Sequence, residues 1–338
     1  GLACAGDIAI EEGHTADALT WLALADEWTQ NVETWTATDT GTDRHPNTPY
    51  YVRVTRDGNP DAGQLRTLAN NGPTLDEREI IDAGFLELVR LGIKPATDET
   101  IRNSIAEVDS TIRVDTPQGP AFYRYNGDGY GERAVEDEGA PWSVESKGKG
   151  RLWPIFTGER GEYELMHGTE SGELTPQNLL ETMAGFANSG RMIAEQVWDR
   201  EHGTEYNWIF GEGTGAATPL AWSMAQYVRL AHGIDAGEPI EMPAVVRNRY
   251  VETDRPEGPL LQVSTRFAGD DVIVSGRTDA AIIAVKTGTE TAIIHPDSED
   301  ESFELALPAE HAENQLLVAA ATDTDLEAAG TSVTRFRI

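Results

Sequence analysis

The chain has 338 residues, with 26 Lys+Arg against 58 Asp+Glu and a formal net charge of −32. At 39% hydrophobic residues it can bury the cores of about two domains, so it is not a disordered acidic tail. Its negative charge repels phosphate and argues against nucleic-acid partners. No apolar run approaches the ~18 residues of a membrane span, and a single cysteine, Cys4, excludes an intrachain disulfide and a cysteine-based zinc site.

The basic residues include only four lysines, Lys94, Lys147, Lys149 and Lys286. Acidic runs such as DSEDE, Asp297 to Glu301, recur along the chain rather than forming one tail. Such a charge self-repels at low ionic strength, whereas near molar salt the Debye length falls to about 3 Å and screens it. The composition therefore points to a salt-loving organism, inside or outside its cells. An acidic surface for a basic partner is the other reading. Either way most carboxylates are solvated, and the charge count says little about chemistry.

Residues 1–13 read as the last turns of a helix ending in glycine, with no charged leader, as if the chain began partway through an element. A second helix is expected over 15–36, with Ala18, Leu22, Ala25 and Trp28 at helical spacing. Residues 37–75 are loop-rich, with a short strand from Tyr50 to Thr55. Ile81, Phe85, Leu88 and Val89 share one face of a helix expected over 78–91, stopped by Gly92. Another helix starts at Thr97 or Asp98 and runs to about Asp109, and two short strands follow at 112–116 and 121–125. Residues 126–150 form a Gly-rich loop, 153–168 a helix, 175–190 a helix opened by Thr175-Pro176, 191–217 a second long loop, and 219–232 a last clear helix. Four prolines then mark a linker over 239–258. Seven short runs between 261 and 338, several of them alternating, predict an immunoglobulin-like sandwich over 259–338.

The loops carry distinctive strings: YYVRVTRDGNPD (50–61), FYRYNGDGYGE (122–132), GRLWPIFTGERGEYEL (150–165), AEQVWD (194–199) and TPLAWSMAQYVRL (218–230). In order and spacing over about residues 1–233 they resemble the glucoamylase and glucodextranase family of inverting glycoside hydrolases. The β segment resembles the immunoglobulin-like domain of glucodextranase-type members. The resemblance implies a mainly α fold, a partial (α/α)6 barrel of about seven helices over 1–238, followed by the small all-β sandwich. The seven would match the sixth to twelfth helices of a twelve-helix double ring. The family's general acid lies in a Trp-Glu-Glu type string before the sixth helix, and no such string is present. The expectation is a fragment, a truncated product or one half of a split enzyme, with the uncovered helix faces favouring the missing N-terminal half or self-association.

Inverting hydrolysis needs two carboxyls about 6.5–9.5 Å apart, one protonating the leaving oxygen and one activating water. By the resemblance Glu195 is the general base, with Trp198 close by to limit solvent; on composition alone it is one of many surface carboxylates. Arg124 and Asp128 match sugar-binding positions, the planar guanidinium being suited to adjacent hydroxyls. Trp153 and Trp222 match pocket aromatics, core packing being the rival for each, and Tyr123, Tyr125 and Tyr130 would extend the wall. Glu159 and Arg160 are expected at a helix start, where Glu159 favours the dipole. GEGTGAATP (211–219) reads as a loop that lets backbone approach the pocket. The seven histidines are scattered, with no metalloprotease spacing, nucleophile elbow or phosphate loop. No cofactor is expected; the stretch Asp57 to Asp61 offers oxygen ligands to Ca²⁺, but such stretches are common in so acidic a chain. The implied activity is exo-hydrolysis of α-glucans. A trehalase and an inactive carbohydrate-binding remnant stay open as alternatives.

Overall fold

The computed structural model describes residues 1–135, 137–145, 147–201, 204–288, 290–296, 301–308 and 315–337. The acidic run at 297–300, His202, His311 and the terminal Ile338 lie outside the described residues. The helices are α1 (Leu2–Glu11), α2 (Thr15–Thr36), α3 (Leu86–Arg90), α4 (Glu99–Thr111), α5 (Pro154–His167), α6 (Pro176–Gly185), α7 (Ala221–Ala236) and α8 (Ala244–Arg247). Short hairpin strands are β1 (Ala37–Thr38), β2 (Tyr50–Tyr51), β3 (Leu65–Thr67), β4 (Thr74–Asp76), β5 (Arg113–Thr116) and β6 (Gly119–Phe122). The C-terminal strands are β7 (Leu261–Ala268), β8 (Asp271–Thr278), β9 (Ile282–Lys286), β10 (Thr291–Ile294), β11 (Ser302–Pro308), β12 (Leu316–Ala321) and β13 (Thr331–Phe336). None of the helices is long and apolar enough to cross a membrane.

The chain divides into two compact units, Gly1–Asn31 with Pro243–Ile338, and Val32–Met242. In the first, two antiparallel sheets have the orders β11-β8-β7 and β10-β9-β12-β13. Alternate residues of both sheets meet in one core: Val272 and Val274, Ile283 and Val285, Phe303 and Leu307, Leu316 and Val318. Ile282, Ala284, Ala319 and Ala321, of opposite parity, are buried as well. The first half of α2 accounts for this, because Lys286 pairs with Asp17 and lies 5.6 Å from the Trp21 ring, and Arg335 pairs with Glu27. A sheet covered on both faces needs near-continuous apolar strands, which is how β9 (IIAVK) and β12 (LLVAAA) read.

Asp26 of α2 is the polar anchor of this unit. It accepts from Arg249 Nε (2.8 Å), Arg255 Nη1 (2.7 Å), Tyr250 Oη (2.9 Å) and Thr331 Oγ1 (2.6 Å). Burial raises its pKa, but the two guanidiniums and the Thr331 hydroxyl outweigh that and hold it below the ordinary carboxylate value. Arg249 and Tyr250 belong to a π-helical turn, Asn248–Glu252, that continues α8. The segment expected as a plain linker is therefore partly helical, because Arg249 needs a rigid turn to reach a buried carboxylate.

In the second unit α5 packs on α3, α6 and α7. Its core gathers Ile81, Phe85, Val89, Ile101, Val108, Ile112 and Phe122. Local signals set the ends: Asp98 caps α4 by accepting from Ile101 N (3.2 Å), Thr175 caps α6 through Asn178 N (3.3 Å), and Gly168 closes α5 in the left-handed region. The helix expected over 78–91 shrinks to a 3₁₀ turn at Glu77–Glu79 and α3. Tertiary hydrogen bonds claim the backbone between them: Arg53 N donates to Ile80 O (3.2 Å), Ile81 N to Asn126 Oδ1 (2.7 Å), and Gly84 N to Asp82 Oδ1 (3.2 Å). A continuous helix would take Ile80 O and Ile81 N for its own ladder and strip Arg53 N and Asn126 Oδ1 of these partners.

Candidate active site

Hairpin β5–β6 delivers the chain into 123–153, and this loop meets the loop over 193–220. Isolated antiparallel bridges join Tyr123 to Leu152, Leu152 to Val197, and Val197 to Gly213. Leu152 and Val197 are fully buried in a small core with Ala121, Phe186 and Ile193. Four segments that sequence places up to 90 residues apart (123 to 213) are thus fixed side by side. The 211–219 loop does more than approach the site. Ala217 O accepts from Glu195 N (2.9 Å), Thr214 N donates to Gln196 O (3.1 Å), and Gly215 N donates to Glu132 Oε1 (3.1 Å).

Glu195 is buried at 9% exposure. Its carboxylate meets the Tyr130 hydroxyl, whose pKa is raised first by burial and then by the charge and hydrogen bond of Glu195. The phenol therefore stays neutral and donates. Tyr130 lies edge-on to Trp142 (5.0 Å between centroids) and 6.3 Å from Trp153. Arg124 closes the group, its guanidinium lying 5.1 Å from the Trp153 ring and 5.5 Å from the Tyr130 ring. Arg124 Nε and Nη2 donate to the two oxygens of Asp128 at 2.8 and 2.9 Å. Burial lowers the pKa of Arg124, and Asp128 and Tyr125 together outweigh that and raise it. Asp128 also accepts from Tyr130 N (3.0 Å), so its carboxylate is a fixed clamp for the fork. Gly150 is needed against it, since a Cβ there would stand 2.8 Å from the Asp128 side chain. The indole Nε1–H of Trp153 is buried without an acceptor among the described residues.

Glu195, Tyr130, Arg124, Asp128 and Trp153 thus form one contiguous cluster. Tyr125 joins it: buried with Leu68 and Ile80, it hydrogen-bonds Asp128 and is flanked by Arg53 at 3.9 Å and Arg124 at 5.3 Å. Trp222 is 64% exposed at the second position of α7, and no contact among the described residues joins it to the cluster. Glu159 is not at a helix start but in the interior of α5. Burial, then the charges of Glu87 and Glu162, push its carboxyl up to about 8 against Arg229 and Arg90. Arg160 is spent on Asp109 and Glu164. In the Asp57–Asp61 stretch, Asp61 Oδ1 accepts from Thr38 Oγ1 (2.7 Å) and Asp39 N (2.9 Å), and Asp57 Oδ1 accepts from Asn59 N (3.0 Å). Among the described residues no group of three His, Cys, Asp or Glu is arranged to hold a metal ion.

Sequence reasoning missed the ion network under the base loop. Asp199 accepts from Tyr123 Oη (2.6 Å), Lys149 Nζ (2.6 Å) and Arg151 Nη1 (2.8 Å). Burial raises its pKa, but Arg151, Lys149 and these hydrogen bonds overcome that and hold the group well below the usual carboxylate range. Arg151 has no exposed side-chain surface, donates to the carbonyls of Glu132 and Arg133 (3.0 Å each) and stacks 4.0 Å over Trp198. Arg151 N also donates to Gln196 Oε1 (2.8 Å), next to the base. The signal was present: Asp199 ends the AEQVWD string, and Lys149 is one of only four lysines.

A profile of the glycosyl hydrolases family 15 matches residues 1–232. The chain belongs to that family. It is 41% identical over 251 residues to a glucoamylase of Clostridium sp. (strain G0005), covering 74% of this chain and 33% of that protein. Among solved structures it is similar to a bacterial glucoamylase complexed with acarbose, at 40% identity and a TM-score of 0.66, over 74% of this chain and 34% of that one. The chain thus spans about a third of the length of these relatives. The family's fold is a helical barrel of the (α/α)6 type.

Proposed function

We propose that this chain carries the base-bearing half of a glucoamylase-type site, in a protein that releases glucose from the ends of α-glucans with inversion. The observation that carries the reading is the cluster itself, in which a buried carboxylate, a neutral phenol, a clamped guanidinium and an indole converge from two loops. In this reading Glu195 takes the proton from the attacking water. Tyr130 holds the carboxylate by donating to it, which keeps one oxygen oriented while the other faces the water. Arg124, with two nitrogens fixed on Asp128, presents its remaining donors to vicinal hydroxyls. The Trp153 ring, only 4% exposed, backs the Arg124 guanidinium at 5.1 Å and holds it toward the sugar. Asp128 is fully engaged and does not serve as the acid. By the family resemblance the acid lies in a Trp-Glu-Glu type string that this sequence lacks.

The C-terminal strands fit an immunoglobulin-like sandwich, three strands against four with Greek-key pairing of β9 to β12. The net charge of −32 fits a salt-rich milieu. The test is titration of the chain with acarbose, followed by tryptophan fluorescence. Saturable quenching, weakened at least tenfold in Arg124→Ala, is expected; equal affinity in the two proteins would remove the cluster from sugar binding.

A further inference from the structure

The string YYVRVTRDGNPD (50–61) supplies no residue to the Glu195 cluster, yet Arg53 ends beside it, in the same unit. Its guanidinium lies 3.9 Å from the centre of the Tyr125 ring, closer than that of Arg124 at 5.3 Å. Its Nη1 donates to Asp82 Oδ2. Asp82 is fixed in turn: Oδ1 accepts from Gly84 N (3.2 Å), and an isolated antiparallel bridge joins its backbone to that of Tyr125.

Arg53 thereby repeats the arrangement of Arg124. Arg124 is clamped by Asp128, Asp128 accepts from Tyr130 N, and Tyr125 touches both. Arg53 is clamped by Asp82, Asp82 accepts from Gly84 N, and the guanidinium stacks on Tyr125. An ordinary exposed Arg–Asp pair gains little, because holding two long side chains in one geometry costs entropy. Here the aromatic face and the bridged backbone set that geometry beforehand. The fork also stays open to a ligand. The Arg53 side chain is 34% exposed, against 29% for Arg124. Apart from the bond to Asp82, its side-chain N–H donors have no acceptor among the described residues.

We propose that Arg53 is a second hydroxyl-binding fork, which grips the glucosyl unit next to the one that Glu195 acts on. This rests on the glucan reading of the Glu195 cluster. Arg124 stands beside Tyr130, the residue that meets Glu195, and beside Trp153. Arg53 adjoins no ring but Tyr125 among the described residues, so it is the fork farther from the base. Both guanidiniums adjoin that one ring, which places them on one wall within the span of a disaccharide. A planar fork with free donors suits a vicinal diol. Arg124 then reads the ring at the base and Arg53 reads its neighbour, so the site favours oligosaccharides over a single sugar.

The test is calorimetric titration of the full chain with two ligands, 1-deoxynojirimycin, a single glucose-like ring, and acarbose, a linear series of linked rings. Arg53→Ala should weaken acarbose about threefold to tenfold, the loss of one or two hydrogen bonds, and leave 1-deoxynojirimycin within about twofold. Arg53→Met keeps an apolar cover on Tyr125 without donors and should behave as Arg53→Ala does; thermal melts of both check the fold. Arg124→Ala should weaken both ligands. Unchanged acarbose affinity in Arg53→Ala, or equal losses for the two ligands, overturns the proposal. So does full acarbose affinity in Arg53→Met, which would leave Arg53 only a packing role on Tyr125. Failure of the cluster reading looks different: acarbose then binds Arg124→Ala and the parent chain equally well.

Discussion

Replacing Asp199 by Asn tests whether the ion network, rather than the flanking bridges alone, holds the base loop. Asparagine keeps the shape but removes the charge facing a guanidinium with no exposed side-chain surface. Lys149 keeps partial access to water, with 40% of its side chain exposed, so its loss is screened. Arg151 has no such outlet, and removing one partner of a buried pair costs about 3–5 kcal/mol. For a unit of this size about 1 kcal/mol shifts the melting temperature by roughly 2–4 °C. The expected drop is therefore about 6–20 °C, measured by calorimetry or circular dichroism. Changing Arg151 to Met as well should be less destabilising than the sum of the single changes, by up to about 3 kcal/mol, because both charges leave together. A drop below about 3 °C in Asp199→Asn, or strict additivity in the double variant, would refute the reasoning.

Two further outcomes follow from charge. Glu159 has its carboxyl pushed up to about 8 from 4.5, so the folded state binds the proton more tightly than the unfolded chain. Its stabilisation is full below about pH 4.5 and is lost as pH rises through about 8, at up to roughly 1.4 kcal/mol per pH unit. Urea unfolding of Glu159→Gln should vary less with pH over that window than the parent; parallel curves would show that Glu159 is not a proton reservoir. Raising salt from about 0.1 M to about 1 M shortens the Debye length from about 10 to about 3 Å. With a net charge of −32 the chain should then melt higher, and a flat or falling melting temperature would separate its acidity from any salt-rich milieu.

The elements most legible in sequence were those whose pattern is set locally. The seven C-terminal strands lie where the short runs between turn residues put them, some by a two-residue alternation and β9 and β12 as near-continuous apolar runs. The capped helices, such as that begun by Asp98, were equally plain. What sequence could not show depended on distant partners. Residues 80–82 abandon a helical pattern because Arg53 and Asn126 claim their backbone. The 239–258 segment gains helical turns because Arg249 must reach Asp26. In the candidate site the motif strings brought Glu195, Arg124, Asp128 and Trp153 to notice, and the structure gathers them. The phenol that connects them, Tyr130, had been read only as wall, since its contact with Glu195 spans 65 residues of chain, from 130 to 195. Trp222, the remaining string match, is 64% exposed.

The most direct measurement is a crystal structure of this chain soaked with acarbose. The account predicts a sugar ring lying against Arg124 and Tyr130, with hydroxyls about 2.7–3.2 Å from Arg124 and the Glu195 carboxylate within one water of the ring's anomeric carbon. Acarbose ordered elsewhere, with Arg124 and Glu195 touching only protein, would contradict it.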